Sequence, residues 1–261
     1  MKFPALPFLM KTLEDFLYPT QPQLFNSLRK RYQGNAFYVK GAFILVRGES
    51  PILLVAHLDT VHKSPVETIC ASENGNILMS PQGIGGDDRC GVYALVKVFE
   101  SAQVKPWLLF TCDEEIGGVG ADTFCTAHAQ GKLPAELDAL KFIVEIDRRG
   151  ACDAVYYDCA NFDFEDYISG KGFVTAQGSF SDISFIAPEL GVAAVNLSSG
   201  YYNAHKLHEY IVRSELERTI DSVSEMVSDA AQVDFPVFPY LDAGAFGQLD
   251  FINGFEVGDD A

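Results

Sequence analysis

Histidines and carboxylates follow three apolar segments of the chain, where they could bind a metal ion together. The segments and the residues after them are ILLVA (52–56) with His57 and Asp59, WLLFTC (107–112) with Glu114 and Glu115, and FIVEI (142–146) with Asp147. Open α/β sheets bind ligands outside the carboxyl ends of their strands. A charge at the end of a buried strand is also costly without a partner. The pattern therefore indicates candidate ligands at one edge of a sheet.

His57 and Asp59 are spaced so that the acid can hold the histidine ring. Residues two apart in an extended segment face the same way. A carboxylate behind an imidazole is the usual support of a metal-bound histidine. Taken alone, the pair also fits an ordinary histidine at a strand end with an acid beside it for solvation.

Asp87 and Asp88 follow Gly85 and Gly86 directly before a predicted helix. Acids at a helix start are ordinary complements of the helix dipole. The glycines, however, let the backbone turn sharply and bring a carboxylate close to other groups. A carboxylate in that place could bridge two metal ions.

Glu114 and Glu115 are neighbouring acids that repel one another, so they either form a solvated turn or accompany a cation. With a cation present, one Glu can ligate it while the other accepts a proton from metal-bound water. Asp147 and His205, the latter in NAHKLHEY, are weaker candidates when each is taken alone.

The candidates together form a mixed nitrogen and oxygen ligand set. Such a set suits zinc and also cobalt or manganese, and no cysteine is placed as a ligand. His62 and His208 lack a comparable setting, and we interpret both as surface or supporting residues.

Apolar runs typical of buried strands alternate with segments of helical spacing. The predicted strands are at 36–47 (two around Gly41), 52–56, 107–112, 142–146, 154–157, 173–175 and 192–197, and a hairpin is predicted at 66–80. The predicted helices are at 8–31 (one or two), 90–101, 119–130, from 181 to about 190, and 213–232. The alternation predicts an α/β fold with a mixed, mostly parallel central sheet and helices on both faces. We expect one domain over 1–232 and an acidic, aromatic extension over 233–261.

Charge and cysteine usage limit the function classes. The formal charge is −17, and the chain lacks the basic patch of a nucleic-acid binder. The six cysteines form no CxxC pair, which is typical of reduced thiols in a cytosolic protein. No apolar run approaches the ~18 residues of a membrane span, and the N-terminus does not resemble a signal peptide. We expect a cytoplasmic protein without nucleic-acid or membrane partners.

Five motifs occur in a characteristic order: HLDT at 57–60, GGDD at 85–88, DEEIGGVGA at 113–121, EID at 145–147 and HKLHE at 205–209. In this order they resemble the co-catalytic zinc exopeptidase superfamily, which includes peptidase T, the glutamate carboxypeptidases, the aminoacylases and the lidless zinc aminopeptidases. The resemblance implies a three-layer catalytic domain and two adjacent divalent metal ions, with zinc as the first expectation.

The resemblance also implies which residues would bind the metal ions. Asp87 would bridge both ions. His57 and Asp147 would complete the site of one ion, and Glu115 and His205 would complete the site of the other.

The same resemblance implies functions for three further acids. Glu114 would be the general base, and Asp59 would orient His57. Glu209 would support the site without binding metal.

HLDT and HKLHE are closer to the peptidases that carry an inserted lid domain, but this chain has little room for one. Only 57 residues separate Asp147 from His205, and 29 separate His57 from Asp87. We therefore expect a catalytic domain without a lid and without a lid-mediated dimer; the oligomeric state is otherwise open.

The predicted function is a two-metal hydrolase that acts as an exopeptidase on short peptides. An amidase of N-acyl amino acids would use the same residues. A non-catalytic metal-binding module is a third possibility, although the presence of Glu114 and of all five ligands argues against it. Arg148 or Arg149 could bind a substrate carboxylate bidentately, although an exposed arginine pair is the plainer interpretation.

Aromatic residues are frequent in the acidic extension after residue 232. They are Phe235, Phe238, Tyr240, Phe246, Phe251 and Phe255. A disordered acidic tail is normally poor in aromatic residues. We expect part of this segment to dock on its own domain or on a neighbouring chain, the alternative being a frayed terminus.

Overall fold

An eight-stranded sheet forms the centre of the computed structural model, which describes residues 10–244. These residues contain the strands β1 (Ala36–Val39), β2 (Phe43–Val46), β3 (Ser50–His57), β4 (Cys70–Ala71), β5 (Ile77–Met79), β6 (Pro106–Thr111), β7 (Phe142–Arg148), β8 (Asp153–Val155), β9 (Val174–Thr175), β10 (Ala194–Ser198), β11 (Tyr201–Tyr202) and β12 (Tyr210–Val212). The central sheet has the order β1-β2-β6-β3-β7-β10-β8-β9, and a smaller sheet has the order β11-β12-β5-β4.

The four strands in the middle of the large sheet, β6, β3, β7 and β10, are parallel to their neighbours within this group. The flanking strands β2 and β8 pair with this group in the antiparallel sense. Parallel strands need crossover connections that cover the faces of the sheet, so their side chains are buried on both sides. This burial explains why ILLVA is apolar throughout and why FIVEI contains only one polar residue, Glu145. The predicted fold class, a mixed sheet between helices, is confirmed.

Helices connect and cover these strands. They are α1 (Leu13–Leu17), α2 (Gln21–Arg31), α3 (Gly86–Ser101), α4 (Val119–Ala129), α5 (Phe162–Gly170), α6 (Ile183–Leu190) and α7 (Arg213–Ala230), with a 3-10 helix at Ala135–Ala139. Pro22 lies in the first turn of α2, where the N–H that proline lacks is not needed by the helix. No helix among residues 10–244 has both the length and the apolar character needed to cross a membrane.

Alternate side chains of the central strands pack into two cores, one on each face of the sheet. On β3, Leu54 belongs to the core that contains α3 and α7, whereas Leu53 belongs to the core that contains α4 and α6. Val223 of α7 and Phe124 of α4 are fully buried in these cores. Burying such a side chain contributes about 1.5–3 kcal/mol. The three layers therefore hold the ends of β3, β6 and β7 firmly in one place.

Helix α5 is the main element that the sequence pattern did not predict. Of its 9 residues only Phe164 and Ile168 are buried, so the segment carries too little apolar periodicity to be recognised. A local cap sets its start, because the side chain of Asn161 accepts a hydrogen bond from the N–H of Phe164 at 3.0 Å.

The first part of the predicted C-terminal extension packs on the rest of the chain. Phe238 is only 6% exposed, and its ring centroid lies 5.1 Å from that of Phe164. The ring of Phe235 lies 5.8 Å from that of Phe142. Isolated β-bridges join this segment to residues 159 and 192. Three more aromatic residues of the extension lie outside the described residues: Phe246, Phe251 and Phe255.

This packing predicts that Phe238 stabilises the domain. We expect Phe238→Ala to lower the free energy of unfolding by about 3 kcal/mol, because removal of a buried aromatic ring leaves a cavity. Val237 is the matched control, since it is 57% exposed, and its replacement by Ala is expected to change stability by less than about 0.5 kcal/mol. Urea unfolding of the two full-length variants measures both values. Equal unfolding midpoints would contradict the docked arrangement.

Candidate metal centre

The predicted ligands approach one edge of the sheet from five separate segments. His57 is the last residue of β3, and Asp147 lies near the end of β7. Glu115 follows β6, Asp87 lies in the first turn of α3, and His205 lies between β11 and β12. Because β6, β3 and β7 are parallel neighbours, their carboxyl ends meet at the same edge. The fold therefore brings all five side chains together.

Asp87 lies at the centre of this group and faces two histidines. Its Oδ1 is 3.2 Å from Nε2 of His57, and its Oδ2 is 3.2 Å from Nε2 of His205. On one side, Oδ1 of Asp147 is 3.5 Å from Nε2 of His57. On the other side, Oε2 of Glu115 is 3.1 Å from Nε2 of His205. Two donor clusters thus share one carboxylate.

Asp59 lies behind the ring of His57. Its Oδ1 is 3.3 Å from Nδ1 of His57, although this contact lacks the alignment of a hydrogen bond. The same carboxylate accepts hydrogen bonds from the backbone N–H of Glu114 at 3.2 Å and of Glu115 at 3.1 Å. Asp59 therefore links the end of β3 to the turn that carries the acidic pair.

Glu114 lies in the same cleft as the predicted ligands. It lines a cleft of about 330 Å³ together with Asp87, Glu115, Asp147 and His205. Burial raises the pKa of the Glu114 carboxyl to about 7. A carboxyl with a pKa near neutral can both accept and return a proton under ordinary conditions.

The charges in the site suit bound cations. Burial raises the pKa of Glu115 and of Asp147 to about 7 each. Oε1 of Glu115 is buried and has no hydrogen-bond partner among residues 10–244, which is costly for a carboxylate oxygen. A divalent ion would satisfy this oxygen and would remove the repulsion among the acids. The residues therefore fit a metal pair.

Asp87 and the two histidines stabilise one another's charged forms. Burial opposes ionisation of Asp87, but contacts with His205 and His57 hold its pKa below the usual value. The contact with Asp87 raises the pKa of His205 to about 9. Positive charge thus stabilises the ionised Asp87, and metal ions would supply that charge in place of protons.

Asp88 competes with Asp87 as a candidate ligand, because its carboxylate is also within reach of His57 and Asp147. The peptide bond between the two acids is cis. The oxygens of Asp88 accept hydrogen bonds from the backbone N–H of His57 at 3.2 Å and of Gly91 at 3.0 Å. Its carboxylate is therefore engaged by the backbone, whereas that of Asp87 faces imidazole nitrogens.

Glu209 supports the segment that carries Asp87. It is fully buried and accepts hydrogen bonds from the backbone N–H of Gly85 at 3.0 Å and of Asp87 at 2.9 Å. Nε2 of His62 lies 2.7 Å from the same carboxylate. His62 is thus a supporting residue, whereas His208 is exposed.

The glycines before Asp87 allow a close passage of the chain. Gly85 has a φ of +66°, and a Cβ atom on Gly86 would lie 2.8 Å from Cβ of Tyr201. A side chain at Gly86 would therefore displace α3 from Tyr201, whose hydroxyl donates to the carbonyl oxygen of Asp147 at 3.2 Å.

A polar network beneath Asp147 was not predicted from the sequence. Oε2 of the buried Glu145 is 2.6 Å from the hydroxyl of Ser181, and that hydroxyl is 3.3 Å from Oδ2 of Asp147. The side-chain oxygen of Asn196 accepts a hydrogen bond from the N–H of Asp147 at 2.8 Å. The buried Asp182 accepts a hydrogen bond from Thr111. One sequence signal was available, because Glu145 is an acid inside an otherwise apolar strand.

Solved structures of peptidases share this fold. A tripeptidase from Staphylococcus aureus has a TM-score of 0.63 at 13% identity, with 84% of this chain and 97% of that chain covered. Aminopeptidase PepT from Bacillus cereus has a TM-score of 0.60 at 14% identity, with 84% and 98% covered. A TET aminopeptidase from a marine sediment archaeon of the Thaumarchaeota has a TM-score of 0.62 at 13% identity, with 86% and 96% covered. No protein-family profile and no curated protein sequence matches the chain. The predicted resemblance in fold is confirmed.

Proposed function

We propose that this chain, whose fold is that of the co-catalytic zinc exopeptidases, is a peptidase that uses two divalent metal ions to cleave short peptides. The observation that carries the proposal is the position of Asp87, which faces His57 on one side and His205 on the other at 3.2 Å each. A single ion would need only one of these clusters. Zinc is the first expectation for this nitrogen and oxygen ligand set, with cobalt or manganese as alternatives.

Five residues would hold the two ions. His57 and Asp147 would bind one, Glu115 and His205 would bind the other, and Asp87 would bind both. When bound, the ions would polarise the scissile carbonyl and lower the pKa of the attacking water. Asp59 would keep the ring of His57 in the orientation that points Nε2 at Asp87.

Glu114 would transfer the proton. Its side chain lines the cleft beside the ligands, and burial raises its pKa to about 7. It would take a proton from the attacking water and return it to the leaving amine. The names of the structural neighbours, a tripeptidase and two aminopeptidases, support peptides as the substrate class.

An amidase of N-acyl amino acids is the second candidate, and one observation favours it. Two arginines, Arg148 and Arg149, line the same cleft as the acids. An N-acyl amino acid carries a free carboxylate next to the scissile bond, and arginine is the side chain best suited to bind it.

The stoichiometry of metal binding tests the proposal. We expect the wild-type protein to bind about two zinc ions per chain and to hydrolyse di- or tripeptides when loaded. Asp87→Ala is expected to retain less than one ion, because it removes a ligand of both. His208→Ala is the matched control, since His208 is exposed and outside the site. Elemental analysis after gel filtration measures the content. A wild-type content of one ion per chain that does not change on replacement of Asp147 or Glu115 would contradict the proposal.

A further inference from the structure

The cleft that contains the predicted ligands also carries positive charge. Arg148 and Arg149 line it directly after Asp147. Every other charged residue that lines it within the described part of the chain already has a proposed role in metal binding or proton transfer: Asp87, Glu114, Glu115, Asp147 and His205. A substrate group that needs a charged partner in this cleft can therefore find only an arginine.

The two arginines differ in what holds their guanidinium groups. Nη2 of Arg148 donates to the carbonyl oxygen of Gln177 at 3.0 Å, and its Nε lies 3.6 Å from Oδ2 of Asp153. The Arg148 side chain is therefore engaged with its surroundings and connects β7 to the segment before α6.

Arg149 combines a fixed backbone with a free side chain. Its carbonyl oxygen accepts a hydrogen bond from the hydroxyl of Ser198 at 2.8 Å. The neighbouring backbone is held by bonds from Ser199 N to Arg148 O at 2.7 Å and from Gly150 N to Tyr201 O at 2.9 Å. The guanidinium is exposed and has no hydrogen-bond or ion-pair partner within residues 10–244. The planar fork of Arg149 is therefore available to bind a carboxylate through two hydrogen bonds.

We propose that Arg149 binds the α-carboxylate of the substrate, so that the enzyme requires a free carboxylate next to the scissile bond. The inference rests on the proposed function. In the proposed function the two metal ions would take the attacking water and the scissile carbonyl, which leaves Arg149 as the cationic partner for a carboxylate, and a guanidinium offers two parallel hydrogen bonds to such a group. A free amine would find no comparable partner, because the proposed function assigns every acid that lines the cleft within residues 10–244 to metal binding or proton transfer. The substrates are thus dipeptides, short peptides that are cleaved before their C-terminal residue, or N-acyl amino acids.

A matched set of three ligands tests this assignment: the dipeptide Ala-Phe, its carboxamide and its N-acetyl derivative. With zinc-loaded protein we expect the free acid to exceed the carboxamide in kcat/KM by about 10- to 100-fold, the usual effect of hydrogen bonds between charged groups. N-acetylation should have little effect. The converse pattern, in which amidation is harmless and acetylation abolishes turnover, would overturn the proposal.

Variants separate a specific contact from general electrostatics. Arg149→Ala should raise KM for the free acid by about 10- to 100-fold and leave the carboxamide unchanged, and Arg149→Lys should restore part of the loss because it keeps the charge but not the planar fork. Arg148→Ala removes the same charge one residue away and should preserve the preference for the acid. Equal effects of Arg148→Ala and Arg149→Ala would overturn the proposal.

Binding without turnover distinguishes this inference from the proposed activity. Calorimetric titration of the zinc-loaded Glu114→Gln variant with Ala-Phe and with its carboxamide measures the preference for the carboxylate directly. The same titration of the double variant, which also carries Arg149→Ala, shows whether this preference depends on Arg149. If the acid binds more tightly than the carboxamide only when Arg149 is present, but the wild type cleaves no peptide, then the carboxylate site is supported and the proposed peptidase activity is wrong. If the wild type hydrolyses peptides but the acid and the carboxamide bind equally well, then the peptidase activity is supported and the carboxylate site at Arg149 is wrong.

Discussion

Glu114→Gln is expected to lower turnover by on the order of 10²–10⁴ while the zinc content stays at the wild-type level. Gln keeps the size and most hydrogen-bonding capacity of Glu, but it cannot accept the proton of the attacking water. Glu114 lines the cleft beside the ligands, and burial raises its pKa to about 7. Its carboxylate has no hydrogen-bond partner among the described residues, so the substitution should disturb little else. Stopped-flow or steady-state kinetics on a cleaved dipeptide, with elemental analysis of the same sample, measures both quantities.

The neighbouring Glu115 is the matched control for this experiment. Its Oε2 is 3.1 Å from Nε2 of His205, so Glu115→Gln should weaken one metal site and reduce zinc affinity by more than the roughly 10- to 100-fold lost when a residue that only supports a ligand is replaced. Excess zinc should then restore part of the activity of Glu115→Gln but none of that of Glu114→Gln. If the two variants exchanged these behaviours, the assignment of base and ligand would be wrong.

Without bound metal, the protein should lose stability as pH rises from about 6 to about 8.5. Burial raises the pKa of Glu114, Glu115, Asp147 and Asp182 to about 7 each, and the contact with Asp87 raises that of His205 to about 9. In the unfolded chain the acids are already ionised at pH 6. The folded protein therefore binds more protons than the unfolded chain in this window, and the linkage relation makes stability fall with increasing pH.

We expect the melting temperature of chelator-treated protein to fall by roughly 5–10 °C across this window. Saturating zinc should raise it and flatten its dependence on pH, because the ions replace the protons of the site. Zinc binding near pH 7 should also release protons, which calorimetry in buffers of different ionisation enthalpy measures. A melting temperature that is constant or rises with pH, together with zinc binding that releases no protons, would contradict this electrostatic description.

Much of the candidate site could be predicted from the sequence because its signals are local. His57 and Asp147 stand at the ends of apolar strands, and Asp87 follows two glycines before a helix. Each of these signals lies within a few neighbouring residues. The alternation of apolar runs with helical spacing likewise predicted the mixed sheet, because strand and helix periodicities are properties of short segments.

The tertiary structure decided which role each of two neighbouring acids has. Asp87 and Asp88 are adjacent and chemically identical, yet the backbone N–H groups of His57 and Gly91 engage only Asp88. Glu145 was recognised as part of a motif, but its hydrogen bond to Ser181 joins two separate segments of the chain. The bonds of Asp88 with His57 and of Glu145 with Ser181 join residues that are 31 and 36 positions apart in the sequence, so no local pattern encodes them.

Arg148 and Arg149 illustrate the same distinction at the mouth of the cleft. The sequence by itself determined that two arginines follow a predicted ligand at the end of a strand. Gln177 and Asp153 engage Arg148, whereas Ser198 fixes only the backbone of Arg149. Strand β7 ends at Arg148 and the chain bends at Arg149, so the side chain of Arg148 meets the neighbouring segments, whereas that of Arg149 has no such partner within residues 10–244. Only the packing around β7 and β10 decided which of the two is free to bind a ligand.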